Sequence, residues 1–138
     1  MPREFYPEAT YLSWFIINME LKEYIEKHTS EEPDVLYELW RETNARIYNP
    51  RMCSGHYQGT ALRMISHMIQ PGLVLDIGTY TGYSSICLAQ GLLPGGKVYT
   101  IEENQELEEI IFRYFQKAGV ESRINLYFGN ALDIIPRF

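Results

Sequence analysis

An α/β fold is predicted, with helices leading into the first half of a doubly wound parallel sheet. Three observations carry this. Short apolar runs stand at Leu73–Ile77, 97–101 and Ile124–Phe128. Between them lie stretches with apolar groups at helical spacing, Tyr83–Gln90 and 105–118. Pro71-Gly72, Gly95-Gly96 and Gly119 punctuate the junctions. Strand–helix–strand–helix–strand implies parallel pairing with right-handed crossovers.

The residues before this pattern read as helical. In 8–27, Leu12, Phe15, Ile16, Met19 and Tyr24 recur near a helical period. Thr29 or Ser30 is expected to cap the next helix, with Pro33 in its first turn and Val35, Leu36, Leu39 and Trp40 along it toward Ile47. Asn49-Pro50 breaks that helix. Residues 51–56 read as a loop, and a third helix runs through Leu62, Ile65 and Ile69 to Pro71-Gly72. Gly119 is the expected C-cap of the helix over 105–118, and a helical turn is expected over 130–135. The predicted division is a helical extension over 1–55 and a cofactor-binding half-sheet over 56–138.

Composition narrows the function. The 12 basic and 18 acidic residues leave a net charge of −6, against the clustered basic surface that nucleic acid requires. No apolar run follows the single basic residue near the N-terminus, and none reaches membrane-spanning length. No membrane or nucleic-acid partner is therefore expected. Two cysteines, Cys53 and Cys87, lack disulfide density and metal spacing, which favours a reducing, cytoplasmic setting.

The chemistry centres on Asp76-Ile-Gly-Thr-Tyr-Thr-Gly82, between the first strand and the following helix. Gly78 and Gly82 are four apart, unlike the G-x-G-x-x-G series that holds a pyrophosphate. Asp76 beside the turn would repel a pyrophosphate but suits a ligand carrying an ammonium and a sulfonium. Gly78 lets the backbone approach that ligand closely. The helix N-terminus at Gly82–Ser84 favours a carboxylate. Amine, carboxylate and sulfonium together describe S-adenosylmethionine. Glu102, ending the second strand, can accept hydrogen bonds from ribose hydroxyls. Asn130, after the third, can reach an adenine edge. Glu103, Glu106, Glu108 and Glu109 read as a solvated helix face near a positive helix end.

These residues resemble the cation-dependent O-methyltransferase family, which includes catechol and caffeoyl-CoA O-methyltransferases. The resemblance covers about 33–138. It rests on the segment from Asp76 to Ser84, Val98-Tyr-Thr-Ile-Glu102, Lys117-Ala-Gly-Val120 and Gly129-Asn-Ala-Leu132, with Arg51-Met52 and Gln58-Gly59 before the core. It implies a Rossmann-like methyltransferase fold and a cofactor set of Met52, Asp76, Gly78, Thr79, Gly82, Ser84, Glu102, Asn130 and Ala131. Many members have Glu at the place of Asp76 and Asp at that of Asn130. The implied activity is methyl transfer from S-adenosylmethionine to a hydroxyl of a small phenolic or catechol-like acceptor, in a homodimer. The family's acidic motifs that hold a magnesium-type cation have no counterpart up to Phe138. No metal ligand or catalytic residue is therefore assigned within the chain, and the cation is expected only in the complete fold. The chain is expected to be truncated after its third strand, inactive alone, with a free edge on the first strand.

Two rival readings stand beside this: a cofactor-binding fragment without catalysis, and a nicotinamide-dependent dehydrogenase fragment, opposed by Asp76 and the glycine spacing. His28, His56 and His67 read as surface or core-edge residues, with His56 the nearest to the cofactor segment. Cys87 reads as apolar filler. For Tyr80 a wall of the methionine end and a packing role are both open.

Overall fold

The computed structural model describes residues 20, 21 and 23–138. It contains two compact units, Met1–Ser30 and Glu31–Phe138. In the first, residues 23–28 are helical. Lys27 pairs with Glu23 at 2.6 Å, and His28 stacks on Tyr24 with centroids 4.0 Å apart. The Thr29 hydroxyl donates to the Ile25 carbonyl at 2.6 Å. The expected apolar positions Leu12, Phe15, Ile16 and Met19 lie outside the described residues.

The second unit runs α1 (Asp34–Arg46), α2 (Gly55–Ile69), β1 (Leu73–Ile77), α3 (Tyr83–Gln90), β2 (Lys97–Glu102), α4 (Glu108–Lys117), β3 (Ile124–Phe128) and α5 (Ala131–Ile134), with short 3₁₀ turns between several of them. The strands are parallel in the order β1-β2-β3. α1, placed in the N-terminal extension by sequence, belongs to this unit. Among the described residues no helix is long and apolar enough to cross a membrane.

Three expectations about helix ends change. Neither Thr29 nor Ser30 caps α1. Pro33 is its N-cap, and its carbonyl accepts from Leu36 and Tyr37 at 2.9 and 3.1 Å. Proline can stand there because that position needs no N–H of its own. Residues 51–56 are not one loop. Pro50–Met52 forms a 3₁₀ turn, and α2 already starts at Gly55, so His56 is helical. The helix expected over 105–118 is split: Gln105–Leu107 is 3₁₀, with the Asn104 side chain accepting from the Glu106 N–H at 3.0 Å, and α4 follows.

The core lies between the helices and one sheet face. α3 is buried on nearly every side through Tyr83, Ser85, Ile86, Cys87 and Ala89. α4 contributes Ile110, Ile111, Tyr114 and Phe115, and α1 contributes Leu36, Leu39 and Thr43. Both sets repeat at helical spacing, so each helix buries one stripe. Glu42 joins α1 to α4, accepting from Arg113 at 2.9 Å, from the Tyr114 hydroxyl at 2.8 Å and from Arg46 at 3.3 Å.

α2 and α3 cross closely because small residues meet. The buried residues of α2 are Gly59 and Ser66. A Cβ at Gly59 would lie 2.4 Å from Tyr83 Cε1 and 2.9 Å from Cys87 Sγ. Ser66 Oγ donates to the Leu88 carbonyl at 2.7 Å.

Candidate functional site

The segment after β1 is a tight turn. Gly78 and Gly82 have φ of +88° and +93°. The N–H groups of Gly78 and Thr79 both donate to the Ile101 carbonyl, at 2.9 and 3.0 Å, and Gly82 N–H closes onto Thr79 O at 2.8 Å. Tyr80, between them, is also left-handed at φ +51°. That conformation costs an L-residue roughly 1–2 kcal/mol, so the neighbouring contacts must hold it. Two do. Its N–H donates to Glu102 Oε2 at 2.6 Å, and its hydroxyl donates to the Tyr48 carbonyl at 2.9 Å.

Glu102 ends β2 in register with Phe128. Its other oxygen, Oε1, accepts from the Asn104 N–H at 2.9 Å. Two backbone donors thus fix the carboxylate beside the glycine turn. Each carboxylate oxygen keeps further lone-pair capacity. Asn130 follows β3 and caps α5, its side chain accepting from the Leu132 N–H at 2.9 Å. Ala131 opens that helix. Gly129 N–H donates to the Glu102 carbonyl at 2.8 Å, tying the β3 end to the β2 end. Asp76, Gly78, Glu102 and Asn130 therefore gather at the carboxyl ends of the three parallel strands, where ligands of open α/β sheets bind.

Asp76 is half-buried on β1. The hydroxyls of Ser85 and Ser84 donate to its Oδ2 at 2.6 and 3.0 Å. Its Oδ1 takes no hydrogen bond among the described residues. Burial pushes the carboxyl above the ordinary aspartate range, and the two serine bonds oppose that rise. The folded state therefore holds the proton more tightly than the unfolded chain. This contribution to stability is complete below about pH 4 and is lost as pH rises through the raised value. Asp76→Asn is expected to keep or raise the melting temperature at pH 7 while weakening S-adenosylhomocysteine binding about 10- to 100-fold, the loss of one charge-assisted hydrogen bond. Thermal melts with calorimetry check this. A destabilised variant with unchanged affinity would show that Asp76 serves the fold alone.

The other sequence-predicted residues divide. A Cβ on Gly78 meets no atom within 4 Å, so the space beside it is open, and its positive φ also demands glycine. Gly82 is different: a Cβ there would sit 2.7 Å from Phe115 Cε1, so it allows α3 to pack against α4. Thr79 is buried and shares a 2.6 Å hydrogen bond with Thr100, so its side chain supports the turn from beneath. Ser84 bonds Asp76 rather than standing free. Met52 is exposed at the end of its 3₁₀ turn. Its segment is tied to the glycine turn by the Tyr80 hydroxyl, which donates to the Tyr48 carbonyl at 2.9 Å.

Sequence reasoning passed over Ser85, the closer partner of Asp76, which also reaches Thr100 at 3.2 Å. A second serine after Gly82 was the available signal. Tyr83, buried, donates its hydroxyl to Glu32, a partner that nothing in the local sequence marks. His28 and His67 use Nδ1 on carbonyls of their own helices, Tyr24 at 2.7 Å and Arg63 at 2.8 Å.

Cys87 is fully buried, and burial pushes its thiol up to about 12. The thiolate is the nucleophile, so the group is inert near neutrality. Cys87 is expected to resist a disulfide reagent at pH 8 in the native chain and to react fully after denaturation. Rapid native labelling at Cys87 would contradict this burial.

Comparison with known proteins places this geometry. The family model described as O-methyltransferase matches residues 26–138. Catechol O-methyltransferase of Mycobacterium tuberculosis is 39% identical over 87 residues, 63% of this chain and 40% of that protein. Caffeoyl-CoA O-methyltransferase of Petroselinum crispum is 34% identical over 104 residues, 75% of this chain and 43% of that protein. Among solved structures, the Bacillus cereus O-methyltransferase in complex with SAH superposes with a TM-score of 0.78 at 27% identity, covering 86% of this chain and 53% of that one. TomG of Streptomyces achromogenes, in complex with SAM, gives 0.78 at 30% identity, covering 86% and 52%. The chain thus spans about half the length of these relatives, with the Rossmann-like fold of that half. On the match over residues 26–138, the chain belongs to the O-methyltransferase family.

Proposed function

We propose that this chain is the cofactor-binding portion of an S-adenosylmethionine-dependent O-methyltransferase whose acceptor is a small phenolic or catechol-like hydroxyl. The observation that carries the reading is the Glu102 carboxylate, held at the end of β2 by the Tyr80 and Asn104 N–H groups beside an open glycine turn. Solved relatives in complex with SAH and SAM support the cofactor, and relatives named for catechol and caffeoyl-CoA support the acceptor class.

The residues present fit the cofactor. Glu102 would hold the ribose hydroxyls. Asp76 Oδ1, which takes no hydrogen bond among the described residues, would take the amino group. The open side of Gly78 would admit the ligand against the backbone. S-adenosylmethionine, when bound, supplies an electrophilic methyl on a sulfonium. The chain's part is to bind and orient it, so that the methyl carbon is held in place for an acceptor oxygen. Among the described residues no three His, Cys, Asp or Glu side chains cluster to hold a metal ion. These residues do not fit a cation site, and no step is assigned to one.

Calorimetry with S-adenosylhomocysteine and NAD, on the same preparation, tests the reading. Saturable binding of S-adenosylhomocysteine with no heat from NAD is expected. Comparable NAD binding would restore the dehydrogenase alternative, because Asp76 would then tolerate a pyrophosphate.

A further inference from the structure

Three hydroxyls from three elements meet beneath the glycine turn. Thr79 is in the turn itself, Thr100 on β2 and Ser85 on α3, and each is at most 2% exposed. The hydroxyl oxygens of Thr79 and Thr100 lie 2.6 Å apart, those of Thr100 and Ser85 3.2 Å, and Ser85 Oγ lies 2.6 Å from Asp76 Oδ2. Thr100 is also the register partner of Asp76, so the two share one sheet face.

This row of hydroxyls has a direction. Each hydroxyl carries one hydrogen, and an ionised carboxylate only accepts. Ser85 therefore gives its hydrogen to Asp76, Thr100 gives its own to Ser85, and Thr79 gives its own to Thr100. Every donor points toward Asp76, and bonds in such a row strengthen one another. Folding alone does not call for them, because apolar groups of the same shape can replace both partners of a buried hydrogen bond at little cost.

We propose that Ser85, backed by Thr100 and Thr79, is a positioning residue for the cofactor: it holds the Asp76 carboxylate charged and leaves Oδ1 for the cofactor's ammonium. The role rests on Asp76 being the partner of that amino group. Burial raises the Asp76 carboxyl, and the Ser85 bond opposes the rise, with Ser84 next.

Few other groups can set this charge. None of the ion pairs among the described residues includes Asp76. On α3, Cys87 feels the Asp76 charge, yet burial pushes its thiol up to about 12 and keeps it neutral, and Arg63 of α2 acts on that same thiol. The Tyr83 hydroxyl is given to Glu32, and that of Tyr80 to the Tyr48 carbonyl. On β2, Lys97 donates to the Ser122 carbonyl, Glu102 is held by the Tyr80 and Asn104 N–H groups, and Tyr99 stacks with Tyr127 on the opposite sheet face.

The test reads the carboxyl first and the ligand second. The chain has three aspartates, Asp34, Asp76 and Asp133, so ¹³C-carboxyl labelling with Asp76→Asn as the reference isolates one signal. In ligand-free Ser85→Ala its midpoint is expected about one pH unit higher, about a tenfold gain in proton affinity on losing one of two donors. Thr43→Val is the control. It removes a buried hydroxyl bonded to Thr81 at 3.1 Å, outside the row, and is expected to leave the midpoint in place. Calorimetry with S-adenosylhomocysteine follows. The affinity loss in Ser85→Ala is expected to be small at pH 8 and to approach about tenfold as the pH falls through the midpoint. A purely structural role would weaken binding equally at every pH. An unmoved midpoint in a folded Ser85→Ala, or a loss independent of pH, would overturn the role of Ser85. Should that variant not fold, Thr100→Val takes its place, with a smaller rise expected and an unmoved midpoint overturning the proposal. A parent chain that binds no S-adenosylhomocysteine at any pH, even with a midpoint that moves, would instead overturn the cofactor reading, and the proposal with it.

Discussion

Glu102→Ala is expected to weaken S-adenosylhomocysteine binding by at least tenfold, measured by calorimetry on a variant with native circular dichroism. The carboxylate would lose charge-assisted hydrogen bonds to two ribose hydroxyls, each worth about 1.5–3 kcal/mol. Preorganisation adds to this. The Tyr80 and Asn104 N–H groups already hold both oxygens, at 2.6 and 2.9 Å, so little side-chain entropy is lost on binding. Glu102→Gln is expected to fall between the two. An amide carries one acceptor oxygen, so one backbone N–H would meet an NH₂ instead. Unchanged affinity in a folded Glu102→Ala variant would remove Glu102 from the site.

Gly91→Ala is expected to lower stability by about 3 kcal/mol or more, at the severe end for overpacking. Gly91 is the C-cap of α3, and a Cβ there would lie 2.3 Å from the backbone of Ser66 and His67 in α2. Backbone cannot rotate out of the way as a side chain can, so α2 must shift as a whole. A drop in melting temperature of about 10 °C or more follows from that cost. The effect reaches the glycine turn, because α3 begins at Tyr83, directly after Gly82. Gly72→Ala is the control. Its Cβ meets nothing within 4 Å, and it has no positive φ. A melting temperature for Gly91→Ala within about 2 °C of the parent would show that the helix crossing is looser than described.

The strands and the helix between the first two were legible because their signals are local. Leu73–Ile77, Tyr83–Gln90 and Ile124–Phe128 form with the bounds read from apolar runs and glycine punctuation. The ends of α1 and α2 were not. A serine or threonine before a helix looks like a cap, yet Thr29 turns back to Ile25, a choice made by nearby geometry rather than by residue type. The site splits along the same line. Asp76, Gly78, Glu102 and Asn130 stand at strand ends, and their places follow from the alternation of elements. Thr79 and Gly82 lie in the same motif, but their roles depend on Thr100 and Phe115, 21 and 33 positions away, and no local pattern reveals such partners. The left-handed Tyr80 was hidden for the same reason: its hydrogen-bond partners, Tyr48 and Glu102, come from different parts of the chain.

A titration of the isotopically labelled chain with S-adenosylhomocysteine, followed by NMR, tests the central claim most directly. The largest amide shifts are expected at Gly78, Tyr80, Glu102 and Ala131, at the carboxyl ends of β1, β2 and β3, with Asp76→Asn and Glu102→Ala each reducing them at a given ligand concentration. Shifts centred instead on the contact of α1 with α4 around Glu42 and Arg113, or no shifts from a folded chain at millimolar ligand, would contradict the placement of the cofactor on this sheet.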